Sequence, residues 1–151
     1  MKSLYYRLDI KLVDFGLAKR LPFGATVLPC KKIIGTEFSL APEQLTHFIN
    51  SPSTDIWQCG ITLFILIFHK YPFSSRQEIM NVPQPYTINW ASPDKLSDGG
   101  IDLFTQIFTR PPNRRISLPG ILNHSWIRGI YTTCYHIHIY IYIYIYMLIY
   151  F

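Results

Sequence analysis

Apolar and polar positions change rhythm several times along this chain. Residues 4–6 and 10–13 are short apolar runs around a polar turn at Arg7 and Asp9, the pattern of two short strands. Residues 21–34 contain Pro22, Gly24 and Pro29 and are predicted to be loop. Residues 42–48 suit a short helix with Pro42 in its first turn. Ser51-Pro52-Ser53-Thr54-Asp55 then reads as a helix start, a hydroxyl cap followed by an acid in the first turn. That helix is predicted to run to about Phe68. Its second half, residues 61–68, is apolar on every side, so it must be buried or cross a membrane. The run from Ile56 is only 13 residues and ends in His69-Lys70. It is too short to span a bilayer and is predicted to be a core helix.

Residues 76–81 form a short helix candidate, and residues 82–93, with Pro83, Pro85 and Pro93, a loop. A helix is predicted over 97–110, weakened at its start by Gly99-Gly100. Ile101, Phe104, Ile107 and Phe108 share one face of it. Ser117 is predicted to cap a last helix, with Trp126 packing at its end.

From Tyr131 the chain becomes a different material. His136-Ile137-His138-Ile139 leads into alternating Tyr and Ile up to Tyr146. An uninterrupted AT dinucleotide repeat encodes Ile-Tyr in every reading frame, so this tail reads as translated repeat or intron sequence. Period-two Ile/Tyr is also strand-prone and a cross-β hazard. The apolar run could act as a crude C-terminal membrane anchor. Cys134, His136 and His138 would share one strand face and could bind a soft metal.

Composition narrows the picture. Apolar residues at 49% and aromatics at 16% exclude a disordered chain, and 151 residues suit one domain. Charged residues at 15% are few for a globular domain, and part of that deficit lies in the tail. Net charge is +5, but the basic residues are scattered as Lys19-Arg20, Lys31-Lys32, Arg110 and Arg114-Arg115. No stripe interleaves them with aromatics, so no nucleic-acid partner is expected. An odd count of 3 cysteines and an N-terminus broken by Arg7 and Asp9 exclude a disulfide framework and a signal peptide. The expected setting is reducing, intracellular and cytoplasmic.

The chemistry centres on Asp14. It ends the run at 10–13, and Gly16 frees the backbone two residues later. A rigid strand would aim one hard oxygen ligand while the chain swings away from the site. Asp14-Phe15-Gly16-Leu17-Ala18-Lys19 is followed at Gly35 by Gly35-Thr36-Glu37-Phe38-Ser39-Leu40-Ala41-Pro42-Glu43. The pairing of Asp-Phe-Gly with Ala-Pro-Glu resembles the activation segment of eukaryotic protein kinases. Thr36 and the run Leu17-Ala18-Lys19 resemble the serine/threonine type. Further on, Asp55-Ile56-Trp57-Gln58-Cys59-Gly60 resembles the start of that family's central buried helix, and Tyr71-Pro72-Phe73 the loop after it. Pro112-Asn113-Arg114-Arg115-Ile116-Ser117 and Leu122-Asn123-His124-Ser125-Trp126-Ile127 resemble its last helical region. Gln58, Ser39, Pro111 and Ser125 depart from the common pattern, which has serine, an aromatic, aspartate and proline there.

This resemblance implies a mainly α fold: a kinase C-lobe fragment with a short β segment at its N-terminus, then helices, then the low-complexity tail. Residues 1–129 would be a partial kinase domain and 130–151 the tail. It implies ATP and Mg²⁺ as cofactors, with Asp14 on the metal, Phe15 setting active or inactive states and Thr36 on the substrate side. Ala41, Pro42 and Glu43 would end the activation segment, and Glu43 would pair with Arg115. Asp55, Trp57 and Gly60 would be structural. Thr26 is the candidate phosphosite, although the family's reading arginine is absent, which favours an ordinary exposed threonine. The glycine-rich loop, its lysine and glutamate, and the His-Arg-Asp loop are not in these 151 residues. Tyr6-Arg7-Leu8-Asp9 is a poor match to that loop. The chain is therefore expected to be inactive by itself, to bind ATP and Mg²⁺ without stability, and to expose apolar surface. Partners implied are a protein substrate or another kinase. The alternatives are a non-catalytic kinase-like binding module, or the product of a gene fragment or mis-joined reading frame with no function.

Overall fold

The computed structural model describes residues 15–30, 36–81 and 96–133. The predicted strands at 4–6 and 10–13, the loop at 82–93 and the Ile/Tyr repeat lie outside the described residues. The architecture is mainly helical, as the sequence predicts. Among the described residues, short 3-10 turns at Phe15–Leu17 and Glu37–Ser39 precede six helices: α1 (Pro42–Thr46), α2 (Pro52–Phe68), α3 (Arg76–Met80), α4 (Asp98–Ile107), α5 (Leu118–Asn123) and α6 (Ser125–Thr133).

α2 is the axis of the core. Ser51 is extended ahead of it, Pro52 opens it, and the Ser51 amide donates to Thr54 Oγ1 at 3.0 Å. Pro52 costs nothing there, because a helix's first amides have no intrahelical acceptor. α2 ends at His69, which stands in the left-handed region at φ 55 and donates its amide to the Ile65 carbonyl. The buried face is Ile56, Trp57, Cys59, Gly60, Ile61 and Phe64. It packs on Leu103, Phe104 and Ile107 of α4, followed by Phe108. Rings interlock across the seam: Phe64 meets Phe104 edge-on at 5.7 Å, and Phe108 meets Trp57 edge-on at 5.0 Å. Phe73 stacks on the indole at 5.4 Å and meets Phe108 edge-on at 5.3 Å. Each fully buried apolar side chain of this kind contributes about 1.5–3 kcal/mol.

The C-terminal half of α2 is only partly covered. Leu63, Ile65, Ile67 and Phe68 pack against the core while half-buried, and Leu66 is 49% exposed. The all-round apolar stretch is thus a core helix on one side and apolar surface on the other.

Three elements differ from the sequence expectations. Within the predicted loop 21–34, Leu28–Pro29 forms β1, paired antiparallel with Ile49–Asn50 as β2. Two residues carry no readable alternation, so the ladder leaves no trace in the hydrophobic pattern. In α4, Gly99 and Gly100, expected from the sequence only to weaken the helix start, stand at packing positions. A Cβ at Gly99 would press on Trp126, and one at Gly100 on Leu96. The last helical region is two helices broken at His124, which is extended at φ −61 and ψ 134. His124 Nδ1 accepts the Trp126 amide at 3.2 Å, and Nε2 lies 3.0 Å from Asp102 Oδ2. A backbone N–H can only donate, so the neutral ring carries its hydrogen on Nε2. Trp126 therefore sits in the first turn of α6, not at a helix end.

α2 and α4 come close at Gly60. An added Cβ would collide with Ile107 and come within 3.1 Å of Phe108 Cε1. Gly60→Ala is expected to lower unfolding stability by about 1–3 kcal/mol in urea titrations, since an overpacked core must shift. An unchanged midpoint would show that the α2–α4 seam yields freely.

Candidate functional site

The sequence-predicted residues that the structure brings together are Glu43, Trp57 and Arg115. Glu43 lies in α1 and is 3% exposed, and Arg115 lies in the turn before α5 and is 5% exposed. They form a two-pronged pair: Nη1 to Oε1 at 2.6 Å and Nη2 to Oε2 at 2.9 Å. Nη1 also donates to the Ser53 carbonyl at 2.6 Å, Nη2 to the Arg110 carbonyl at 3.1 Å, and Nε to the Thr109 carbonyl at 3.0 Å. All five guanidinium N–H groups are thereby used. Thr54 Oγ1 donates to Glu43 Oε1 at 3.3 Å, so the carboxylate has a third donor. The guanidinium lies over the Trp57 ring, 5.0 Å from its centroid. One buried charge pair thus joins α1, the start of α2 and the turn at 109–115.

Local sequence explains each position. Ala41 is fully buried and extended, Pro42 begins α1, and the helix turn carries Glu43 inward. The Arg115 and Arg114 amides both donate to the Pro111 carbonyl, closing the turn that presents the guanidinium. Trp57 is fully buried, and its Nε1 has no hydrogen-bond partner among the described residues. The indole is held by ring packing and by the cation above it.

Other predicted residues stand apart from this clasp. Phe15 and Gly16 belong to an exposed 3-10 turn, with Phe15 53% exposed and its carbonyl accepting the Ala18 amide. Thr36 is exposed and extended, and its carbonyl accepts the Ser39 amide. Gly60 serves the α2–α4 contact. Asp55 is exposed overall, yet nearby protein desolvates its carboxyl and raises it above the ordinary value. Burial, with the Asp55 carboxylate adding to it, pushes the Cys59 thiol far up, so it is an inert core group. Asp14 lies outside the described residues, as do Lys31, Lys32, Cys134, His136 and His138. Among the described residues no cluster of His, Cys, Asp or Glu could hold a metal ion. No helix among them is long and apolar enough to cross a membrane.

Sequence reasoning missed Ser53, Thr54 and Thr109 as partners of the clasp, since two of them act through backbone carbonyls. It also missed Gln44, whose Oε1 accepts the Ala41 amide at 2.9 Å. The signal was there: Gln three residues after a helix-entry position is half of a capping box.

The family model described as protein kinase domain matches residues 4–127. An abscisic acid-inducible protein kinase of Triticum aestivum is 32% identical over 124 residues, which is 78% of this chain and 36% of that protein. The serine/threonine-protein kinase SRK2E of Arabidopsis thaliana is 32% identical over 124 residues, 78% of this chain and 33% of that protein. An SNF-related serine/threonine-protein kinase of Rattus norvegicus is 32% identical over 125 residues, 80% of this chain and 16% of that protein. The chain spans about a third of the first two relatives' length.

Arg115→Met should lower stability by about 3–5 kcal/mol, because Glu43 is left buried without its counter-charge. The double variant Arg115→Met with Glu43→Leu is expected to lose less than Arg115→Met alone in the same urea titration. A double variant that loses as much or more would mean that the pair's packing, not its charge, carries the effect.

Asp55 gives a pH signature. Its folded value lies above the ordinary 3.8, so between the two the folded chain binds more protons than the unfolded one. Stability from this group therefore falls as pH rises through that window. Asp55→Asn is expected to raise the urea midpoint at pH 7 and to converge on the parent near pH 3. A lower midpoint at pH 7 would contradict it.

Proposed function

The chain belongs to the protein kinase domain family, and on that premise we propose that it is the activation segment and C-lobe part of a serine/threonine protein kinase. The activity of the whole protein would be ATP-dependent phosphoryl transfer to Ser or Thr of protein substrates. The observation that carries this reading is the Glu43–Arg115 pair. It joins the Ala-Pro-Glu end of the segment to the turn before α5, and the family match runs across both.

In this reading residues 1–129 are a partial kinase domain and 130–151 a separate tail. Asp14 would hold Mg²⁺, which would supply charge neutralisation on the ATP phosphates. Phe15 and Gly16 carry the chain away from that ligand, and Thr36 lines the substrate side. Glu43 and Arg115 form the structural clasp, with Asp55, Trp57 and Gly60 supporting the central helix. The setting is intracellular and cytoplasmic, and the partners are protein substrates or another kinase.

The 151-residue chain alone does not transfer phosphate in this reading. Phosphoryl transfer depends on positioning the nucleotide and the nucleophile together, and the phosphate-gripping lysine and the catalytic base are not among its residues. The exposed Leu66 and its half-buried neighbours on α2 favour a second reading, a non-catalytic module that docks on a kinase partner.

Incubated with ATP and a generic basic protein substrate, the chain is expected to give no signal above an Asp14→Ala control. Signal above that control would overturn the inactivity. Reading the transcript through its true 5′ end tests the larger claim. An in-frame segment encoding the glycine-rich loop, the lysine and His-Arg-Asp supports the kinase, whereas a message starting at Met1 removes catalysis.

A further inference from the structure

Three amide side chains form a relay between α2 and the β1–β2 ladder. The Ala41 amide donates to Gln44 Oε1 at 2.9 Å. Because that backbone N–H can only donate, Oε1 must face it, and the orientation of the Gln44 amide is settled. Gln44 Nε2 then donates to Asn50 Oδ1 at 2.7 Å, and Gln58 Nε2 donates to Gln44 Oε1 at 3.4 Å. Asn50 belongs to β2, where it stands opposite Leu28 of β1. One residue beyond the ladder, the Cys30 amide donates to the Phe48 carbonyl at 2.6 Å.

The ladder held by this relay is weak by construction. It is two residues long, and Pro29 has no N–H to give. Phe48, whose carbonyl closes it, stands in the left-handed region at φ 53, which is strained for a bulky side chain. The residue is 47% exposed, so burial offsets only part of that strain. A short, strained contact persists only if its surroundings hold it, and the described support is Asn50 on Gln44.

We propose that Gln44, Asn50 and Gln58 are positioning residues that clasp the segment Leu28, Pro29 and Cys30 onto the turn between α1 and α2. Gln44 follows Glu43 in the same one-turn helix, so the buried ion pair and the clasp share one mount. The inference goes beyond the kinase reading, since it needs neither nucleotide nor substrate.

Hydrogen–deuterium exchange of the full 151-residue chain tests it at the Cys30 amide. Asn50→Leu and Gln44→Leu each remove the relay bond and are expected to speed Cys30 exchange about three- to tenfold, the size of one lost hydrogen bond. Exchange in α4 should stay at the parent rate. Asn50→Asp keeps an acceptor for Gln44 Nε2 and is expected to leave Cys30 at the parent rate. Unchanged Cys30 exchange in both leucine variants would overturn the proposal. So would equal acceleration in α4 and at Cys30, because the relay would then support the fold as a whole. Asp exchanging as fast as Leu at position 50 would overturn it too.

Discussion

The Glu43–Arg115 pair is the constraint on which the other elements depend. Taking a carboxylate and a guanidinium out of water costs several kcal/mol per ion unless every donor and acceptor is met. Here the guanidinium has five acceptors and the carboxylate three donors, so the cost is offset by directed bonds. The requirement runs outward. α1 has only five residues and cannot be stable as an isolated helix. The turn at 109–115 has no regular structure to hold it. Both are ordered because the pair accepts only one arrangement of the carbonyls at Ser53, Thr109 and Arg110.

Trp57 passes that constraint into the apolar core. Its indole has the guanidinium on one side, Phe73 stacked against it and Phe108 edge-on. Nε1 has no hydrogen-bond partner among the described residues, a cost that the ring contacts with Phe73 and Phe108 must outweigh. Three positions further along α2, Gly60 brings α4 close enough for those contacts to form. The charge cluster and the core are therefore one construction.

What could be read from the chain was what repeats or what a single residue dictates. The start of α2 was legible from Ser51 to Asp55 because capping is local chemistry. That it is a core helix was legible because the apolar run is too short to span a bilayer; which face is buried was not. The Glu43–Arg115 pairing came only through the kinase resemblance, since no local pattern links residues 72 apart. The two-residue ladder, the break at His124 and the role of Gly99 and Gly100 were not legible. Most depend on a tertiary neighbour: Asn50 for Leu28, Asp102 for His124 and Trp126 for Gly99, while Gly100 meets Leu96 four residues before it.

The 72-residue separation between Glu43 and Arg115 also has a consequence in time. A ribosome adds roughly 5–20 residues per second, so the glutamate is made roughly 4–14 s before its arginine. During that interval its carboxylate has no counter-charge and favours water over the interior. α1 would have to stay undocked, and the first stretch of α2 would have to wait with it. Closing so long a loop also carries a chain-entropy cost that nearby contacts do not. The nascent chain should therefore assemble its helices from the far end back, with the oldest segment seated last.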